Sequence, residues 1–415
     1  MIKMKTKKFR MIALLVVLVF GVVLISGCIQ KSEPSDYSED HKESKNVYIV
    51  TRIPVKTDAQ IDFVNSHYDY VMTSVLNTEL REKIQGPKLL LYRSIQGTWT
   101  DFNHFNWKHI DLNENMFCHH NDNRIKTIWN SWLMNGSDLA DRNAPDALNH
   151  WVNYYAITAS EQVHEYNYDG LFIDSASHRL WPGAVYNLMP DDYSDKDWRD
   201  GRCRALEFIK SYFPDEIVVF NGLHTGNGAE HSLTFTDGGM WETFAFRPSN
   251  SKYYGEEKWR EVIELVERNR EDKLICVVSK KKYLIQDIQS RMFILTSYLL
   301  VSNQNVLLTM IDLDYDQLKS IYYYPEYEVD LGSPLSSYTV NDGIYERKFE
   351  KGIVLVNPSA IKSHTLSLDK EYNKIVPVGG GLVQKDGSCE GSITYQTVNN
   401  EITLPPISGV VLINR

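Results

Sequence analysis

Between Asn46 and about Tyr324, eight short apolar runs alternate with amphipathic helical stretches. No other feature restricts the fold as strongly. Strand-like runs separated by segments of 3.6-residue period call for a parallel sheet with helices outside it. The expected strands are 47–53, 70–75, 88–95, 170–174, 217–221, 233–237, 273–279 and 305–311. Eight strands in roughly 280 residues fit a (β/α)8 TIM barrel, an α/β fold. An open doubly wound sheet is the competitor, but no glycine-rich nucleotide fingerprint follows the first strand. Leu148, Trp151, Val152, Tyr155, Ala159 and Val163 keep helical spacing, with Pro145-Asp146 suited to the first turn. Trp259, Val262, Ile263 and Val266 form a second stripe, and Ile285, Ile288, Met292, Leu295 and Leu299 a third. Core packing accounts for all three.

One connection is long. About fifty residues of weak periodicity lie between Ile95 and the helix near Pro145, carrying Trp99, Trp107, Trp129, Trp132, His104, His109, His119 and His120. Long irregular segments in compact domains are usually functional or disordered, and this aromatic content argues against disorder. The excursion leaves the carboxyl end of the third strand, so it should wall one side of the barrel mouth. Near Ser336 the pattern changes to short strands separated by turn residues, including Gly379-Gly380-Gly381 and Asn399-Asn400. The expectation is a barrel over 46–335 and a small C-terminal antiparallel β-sandwich over 336–415.

The N-terminus is a targeting segment. Lys3, Lys5, Lys7, Lys8 and Arg10 precede an apolar run from Met11 to Ile25, shorter than the ~20 residues of a spanning helix. The run ends in Ile25-Ser26-Gly27-Cys28, which resembles a prokaryotic lipobox with Cys28 as the lipidated residue. Residues 1–28 are read as the lipoprotein signal peptide and 29–45 as a disordered, polar tether. An uncleaved signal anchor is the alternative. Both place the remainder outside the cytoplasm; on the lipobox reading it sits on the extracellular face of the membrane, held by the N-terminal lipid alone.

A formal net charge of -10, with no basic stripe, disfavours nucleic acid as a partner. Cys118, Cys203, Cys276 and Cys389 match no zinc spacing. No His-x-His or His-Glu-x-x-His element is present, so no metal and no cofactor are expected. An exported protein can pair cysteines, although Cys276 sits in an apolar strand and reads as a buried small hydrophobe. A monomer is expected.

Chemistry concentrates at the strand ends, where barrels mount it. Asp174 closes the fourth strand, Asn221 the fifth, and Asp237 and Glu242 the sixth. Glycosidic bond cleavage uses two carboxylates, one to donate a proton and one to attack or stabilise the anomeric carbon. Asp174 and Glu242 are the expected catalytic pair, with Asp174 as nucleophile or ion-pair stabiliser and Glu242 as general acid/base. Trp241, beside Glu242, should either lie against a sugar or pack behind the acid and raise its pKa. Asn221, Asp237, Trp241, Trp99, His178, His224, Trp181, Trp132 and Arg93 are the expected carbohydrate contacts. Asp237 is equally well read as fixing its own loop, and Asp169 as fixing the turn before the fourth strand.

Asn143-Ala-Pro-Asp-Ala-Leu-Asn-His-Trp151 followed by Tyr168-Asp-Gly-Leu-Phe-Ile-Asp174 resembles the glycoside hydrolase barrels of hypothetical glycosyl hydrolase family 15 and the endo-α-1,4-polygalactosaminidases. Asp237-Gly-Gly-Met-Trp-Glu242 resembles their glutamate-bearing segment after strand six. The resemblance covers about Val47 to Asp312 and implies a barrel with Asp174 and Glu242 as the carboxylate pair. It also makes amino-sugar polymers one candidate substrate. Carboxylates on strands four and six resemble the layout of retaining α-glycosidases. Two departures stand out: the Trp/His-rich excursion, and Ser175-Ala-Ser177 where an Asn or Asp is expected. The function read from the chain is a surface-anchored glycoside hydrolase acting on an extracellular poly- or oligosaccharide. The rival is a non-catalytic carbohydrate-binding lipoprotein on the same scaffold.

Overall fold

The computed structural model describes residues 45–415 except 46, 53–56, 102, 192, 227 and 317–318. The signal segment with Cys28, and the tether as far as Ser44, lie outside the described residues. The eight barrel strands are β1 (Tyr48–Arg52), β2 (Tyr70–Thr73), β3 (Lys88–Ser94), β4 (Gly170–Asp174), β5 (Ile217–Asn221), β6 (Gly238–Trp241), β7 (Leu274–Lys281) and β8 (Val306–Asp312). Each pairs in parallel with its sequence neighbours, and β8 closes on β1 through Tyr48↔Leu307 and Ile49↔Leu308.

The two-residue period of a strand sorts every side chain. Val50, Met72, Leu90, Phe172, Val219, Met240, Cys276, Val278 and Leu307 fill the barrel interior. Leu89, Leu91, Ile173, Val218, Val277 and Leu308 point to the helical layer. Counting two residues on from the interior set therefore aims Tyr92, Asp174, Asn221, Glu242, Lys280 and Thr309 into the mouth.

The sixth strand differs from expectation. Leu233 and Phe235 belong to a 3-10 helix (Ala229–Phe235), and the strand begins at Gly238. Glycines are poor strand formers in isolation, so Gly238-Gly239 reads as a turn. Packing requires them here. A Cβ on Gly238 would lie 2.1 Å from the Leu274 carbonyl oxygen, and one on Gly239 2.9 Å from Leu223 Cδ1. Asp237 consequently precedes β6 and lies at the opposite end of the barrel from Glu242. There it accepts the Val218 N–H at 2.8 Å. Asp69 before β2 and Asp169 before β4 do the same for Ile49 (2.9 Å) and Leu89 (2.8 Å). Three aspartates thus tie the amino end of one strand to the entry of the next.

Helix α1 (Trp151–Glu165) starts later than Pro145 suggests. Its N-terminus is capped from outside: Asp138 accepts the Trp151 N–H at 2.7 Å and pairs with His150 Nδ1 at 2.6 Å. The excursion before it is held by two short antiparallel pairs, Gly97–Thr98 with Trp132–Leu133 and His119–His120 with Asn123–Arg124.

After the barrel come two packed antiparallel sheets, besides a two-residue antiparallel pair of Tyr322–Tyr323 with Gly381–Leu382. The first runs in the order β9 (Thr339–Asn341), β10 (Ile344–Phe349), β11 (Gly352–Asn357), β16 (Ser408–Asn414), β13 (Tyr372–Gly379), β14 (Gly391–Val398). The second pairs β12 (His364–Ser367) with β15 (Glu401–Leu404). Ile344, Leu355, Leu412, Ile402 and Leu404 form the core between them. The outer face of the larger sheet packs on barrel helix α2 (Ile288–Leu299), where a Cβ on Gly409 would collide with Thr296 Oγ1 at 1.8 Å. Arg347 of β10 donates to the Leu299 and Ser302 carbonyls at 2.9 Å, satisfying orphan groups at the α2 C-terminus. Barrel and sheets belong to one compact unit. Among the described residues, Cys118, Cys203, Cys276 and Cys389 form no disulfide with one another.

Candidate active site

Asn221 organises the mouth. Its Nδ2 donates to Asp174 Oδ1 and to Glu242 Oε2, each at 2.9 Å. The two oxygens that it bonds are therefore no farther apart than these two bonds laid end to end. An amide NH2 presents its two hydrogens about 120° apart, which sets the oxygens roughly 5 Å from one another. The Tyr92 hydroxyl donates to the other oxygen of Asp174, and Ser175 Oγ reaches it at 3.3 Å. Ser175 has a left-handed backbone (φ 57°), so the chain turns sharply as it leaves β4. On the far side, Lys280 Nζ donates to Glu242 Oε1 at 2.5 Å.

The electrostatics reverse one expectation. Trp241 is 2% exposed and faces the helical layer, with Lys258 Nζ 4.7 Å from its ring centre, so it neither reaches a sugar nor backs the acid. Strand parity is the reason: Met240 and Glu242 point inward, and Trp241 between them points outward. Burial would lift the Glu242 carboxyl, but Lys280, His224 and the Asn221 hydrogen bond together hold it well below the usual carboxylate range, at about 2. Glu242 therefore rests ionised. Burial holds His224 below the ordinary imidazole range, against the pull of Glu242. Asn221 Oδ1 and His224 Nδ1 are buried with no hydrogen-bond partner among the described residues, which leaves both available to a ligand.

Two cavities meet at the pair. A cleft of about 830 Å³ extends beneath the excursion and touches Trp99, Trp129, Trp181, His224 and both carboxylates. A pocket of about 140 Å³, floored by Met72, Phe172 and Met240, shares Tyr92, Asp174, Asn221 and Glu242 with it. Of the expected residues, the structure brings Asp174, Glu242, Asn221, Trp99, Trp181 and His224 to this region. It separates five others. Asp237 is at the opposite end of the barrel, and Trp241 lies behind the wall. Arg93 has outward parity; it is fully buried and donates to Thr158 (3.0 Å) and Gln162 (3.2 Å). Trp132 packs edge-on against Phe117, under Lys126. His178 is buried beside Gly228, away from the cleft lining. Tyr92 and Lys280 escaped the sequence reading, which places Trp129 on the mouth-walling excursion but not among the carbohydrate contacts. Strand parity would have found both, since Tyr92 is two residues past interior Leu90 and Lys280 two past Val278. Among the described residues, no group of three or more His, Cys, Asp or Glu could hold a metal ion.

A closed parallel barrel with two facing carboxylates at its carboxyl end is the layout that two-carboxylate cleavage of a glycosidic bond requires of a barrel enzyme. The chain belongs to hypothetical glycosyl hydrolase family 15, whose profile matches residues 93–353, and it is a glycoside hydrolase. The fold is similar to that of the glycoside hydrolase domain of PelA from Pseudomonas aeruginosa, at 13% identity and TM-score 0.43, covering 64% of this chain and 96% of that one. It is also similar to the maltogenic α-amylase AmyB from Thermotoga neapolitana, at 10% identity and TM-score 0.48, covering 88% and 99%. A third is the GH36 α-galactosidase AgaA from Geobacillus stearothermophilus, at 11% identity and TM-score 0.42, covering 90% and 56%. No curated protein sequence matches the chain.

Proposed function

We propose that the protein is a surface-anchored, retaining glycoside hydrolase that cleaves an extracellular poly- or oligosaccharide by double displacement at Asp174 and Glu242. The observation that carries this reading is the Asn221 bridge, because a carboxyl spacing of ~5–5.5 Å suits direct attack, whereas inversion needs ~6.5–9.5 Å to admit a water. Asp174 is the nucleophile: uncharged donors orient both its oxygens, and among the described residues no cation forms an ion pair with it. Glu242 is the acid/base. Its resting carboxylate is the form that deprotonates water in the second step, and it takes up a proton for the first. Lys280 opposes that uptake and sets the pH at which it occurs. The lipobox-like Ile25–Cys28 segment supports anchoring at the outer membrane face.

The test is reducing-end release by the detergent-solubilised full chain from a panel of neutral and amino-sugar polysaccharides, alongside Asp174→Asn and Glu242→Gln. Activity should fall by at least about 10²–10⁴-fold in each folded variant. Proton NMR of the first-formed product should show the anomeric configuration of the substrate. Inverted product, or full activity in either variant, refutes the mechanism.

A further inference from the structure

Three tryptophans line the cleft that leads to Asp174 and Glu242, and two of them are unusually open. Trp181 is 62% exposed and Trp129 56%, so neither indole is explained by core packing. Both are nevertheless held in place. A Cβ on Gly183 would lie 2.6 Å from Trp181 Cζ2, so the indole is seated on bare backbone with its other side open. Trp99 Nε1 donates to the Trp129 carbonyl at 3.0 Å and pins the turn that carries it. The Ile128 N–H donates to the Ala184 carbonyl at 2.9 Å, joining the excursion after β3 to the loop after β4. The two indoles therefore sit on one cross-braced wall built from two separate loops. The adjoining 140 Å³ pocket, shared by the carboxylates, is small and suits the single ring under attack.

From this arrangement we infer that Trp129 and Trp181 form a stacking platform for sugar rings beyond the one cleaved, which makes the substrate an extended chain rather than a monosaccharide glycoside. The ligand class is an oligo- or polysaccharide whose pyranose rings expose C–H faces; an indole offers such a face a large, rigid apolar surface. The inference rests on the carbohydrate reading of this site, but not on the assignment of its catalytic roles.

The test is affinity electrophoresis of the full chain in mild detergent. The native gels are cast with soluble starch, galactan, galactomannan, chitosan or a partly N-acetylated amino-sugar polymer. The parent and Asp174→Asn should be retarded alike in at least one gel. Trp129→Ala and Trp181→Ala should each weaken that retardation by about tenfold, as expected for loss of an aromatic contact. Gly183→Ala should weaken it by unseating Trp181, and Trp181→Phe should fall between parent and alanine variant. Tryptophan variants retarded like the parent, or a parent retarded by no polymer, overturn the platform. An Asp174→Asn protein that binds and still cleaves instead overturns the proposed chemistry and leaves the platform standing.

Discussion

Replacing Lys280 with Met should shift the pH at which the enzyme works, more than its maximal rate. The ammonium lies 2.5 Å from Glu242 Oε1; the lysine side chain is 13% exposed and the glutamate 32%. An opposite charge at this range, in a site partly open to water, moves a carboxyl by about 1–3 pH units. The direction follows from the role. A general acid works protonated, so a carboxyl held at about 2 puts the alkaline limb of the rate profile far to the acid side. Lys280→Met removes the cation but leaves the burial, and burial alone raises the carboxyl. The alkaline limb of kcat/KM should therefore move up by about 1–3 pH units, while Lys280→Arg, which keeps the charge, leaves it in place. The other groups facing Glu242 are Asp174, His224 and Asn221, and none of them changes in these variants. The assay is reducing-end release from pH 2 to 9, at substrate well below KM, so that the profile reports the free enzyme. A limb that stays put refutes the control assigned to Lys280. Movement of the acid limb instead means that Glu242 acts ionised, and the roles of Asp174 and Glu242 must be exchanged.

Three other perturbations probe separate parts of the molecule. Tyr92→Phe removes the hydroxyl that orients Asp174; a hydrogen bond to a charged group contributes about 1.5–3 kcal/mol, so kcat should fall roughly ten- to hundredfold without a matching loss of stability. Arg291 and Glu326 are both fully buried and bidentate where the barrel meets the C-terminal sheets, at 2.7 and 2.5 Å, so Arg291→Met should cost about 3–5 kcal/mol in urea titration, and Arg291→Met/Glu326→Leu should recover most of it. Asp237→Asn should leave activity intact and lower stability by less than about 1 kcal/mol, because an amide oxygen still accepts the Val218 N–H and only the half-exposed Lys210 contact is lost. A large loss of activity in Asp237→Asn would return that residue to the active site.

Much of this protein is legible in its residue order, for local reasons. Seven barrel strands coincide with apolar runs bounded by turn residues, and the C-terminal strands follow the same logic. Asp174 and Glu242 stand out because each ends a buried run with a charge. Tertiary structure decided what local pattern does not encode. Gly238-Gly239 looks like a turn by propensity and becomes a strand because neighbouring backbone and side chains leave no room for a Cβ. That displacement sends Asp237 to the far end of the barrel and makes it one of three aspartates tying strand entries together. Parity, which depends on register within the closed sheet, turns Tyr92 and Lys280 inward and Arg93 and Trp241 outward. Two contacts come from residues far apart in sequence: the Asn221 amide reaching both carboxylates, and the Lys280 ammonium that holds Glu242 ionised. The sequence determines which side chains are present at the mouth's eight strand ends. Only barrel closure decides which of them meet, because a hydrogen bond of 2.9 Å requires that strands four, five and six be adjacent and in register.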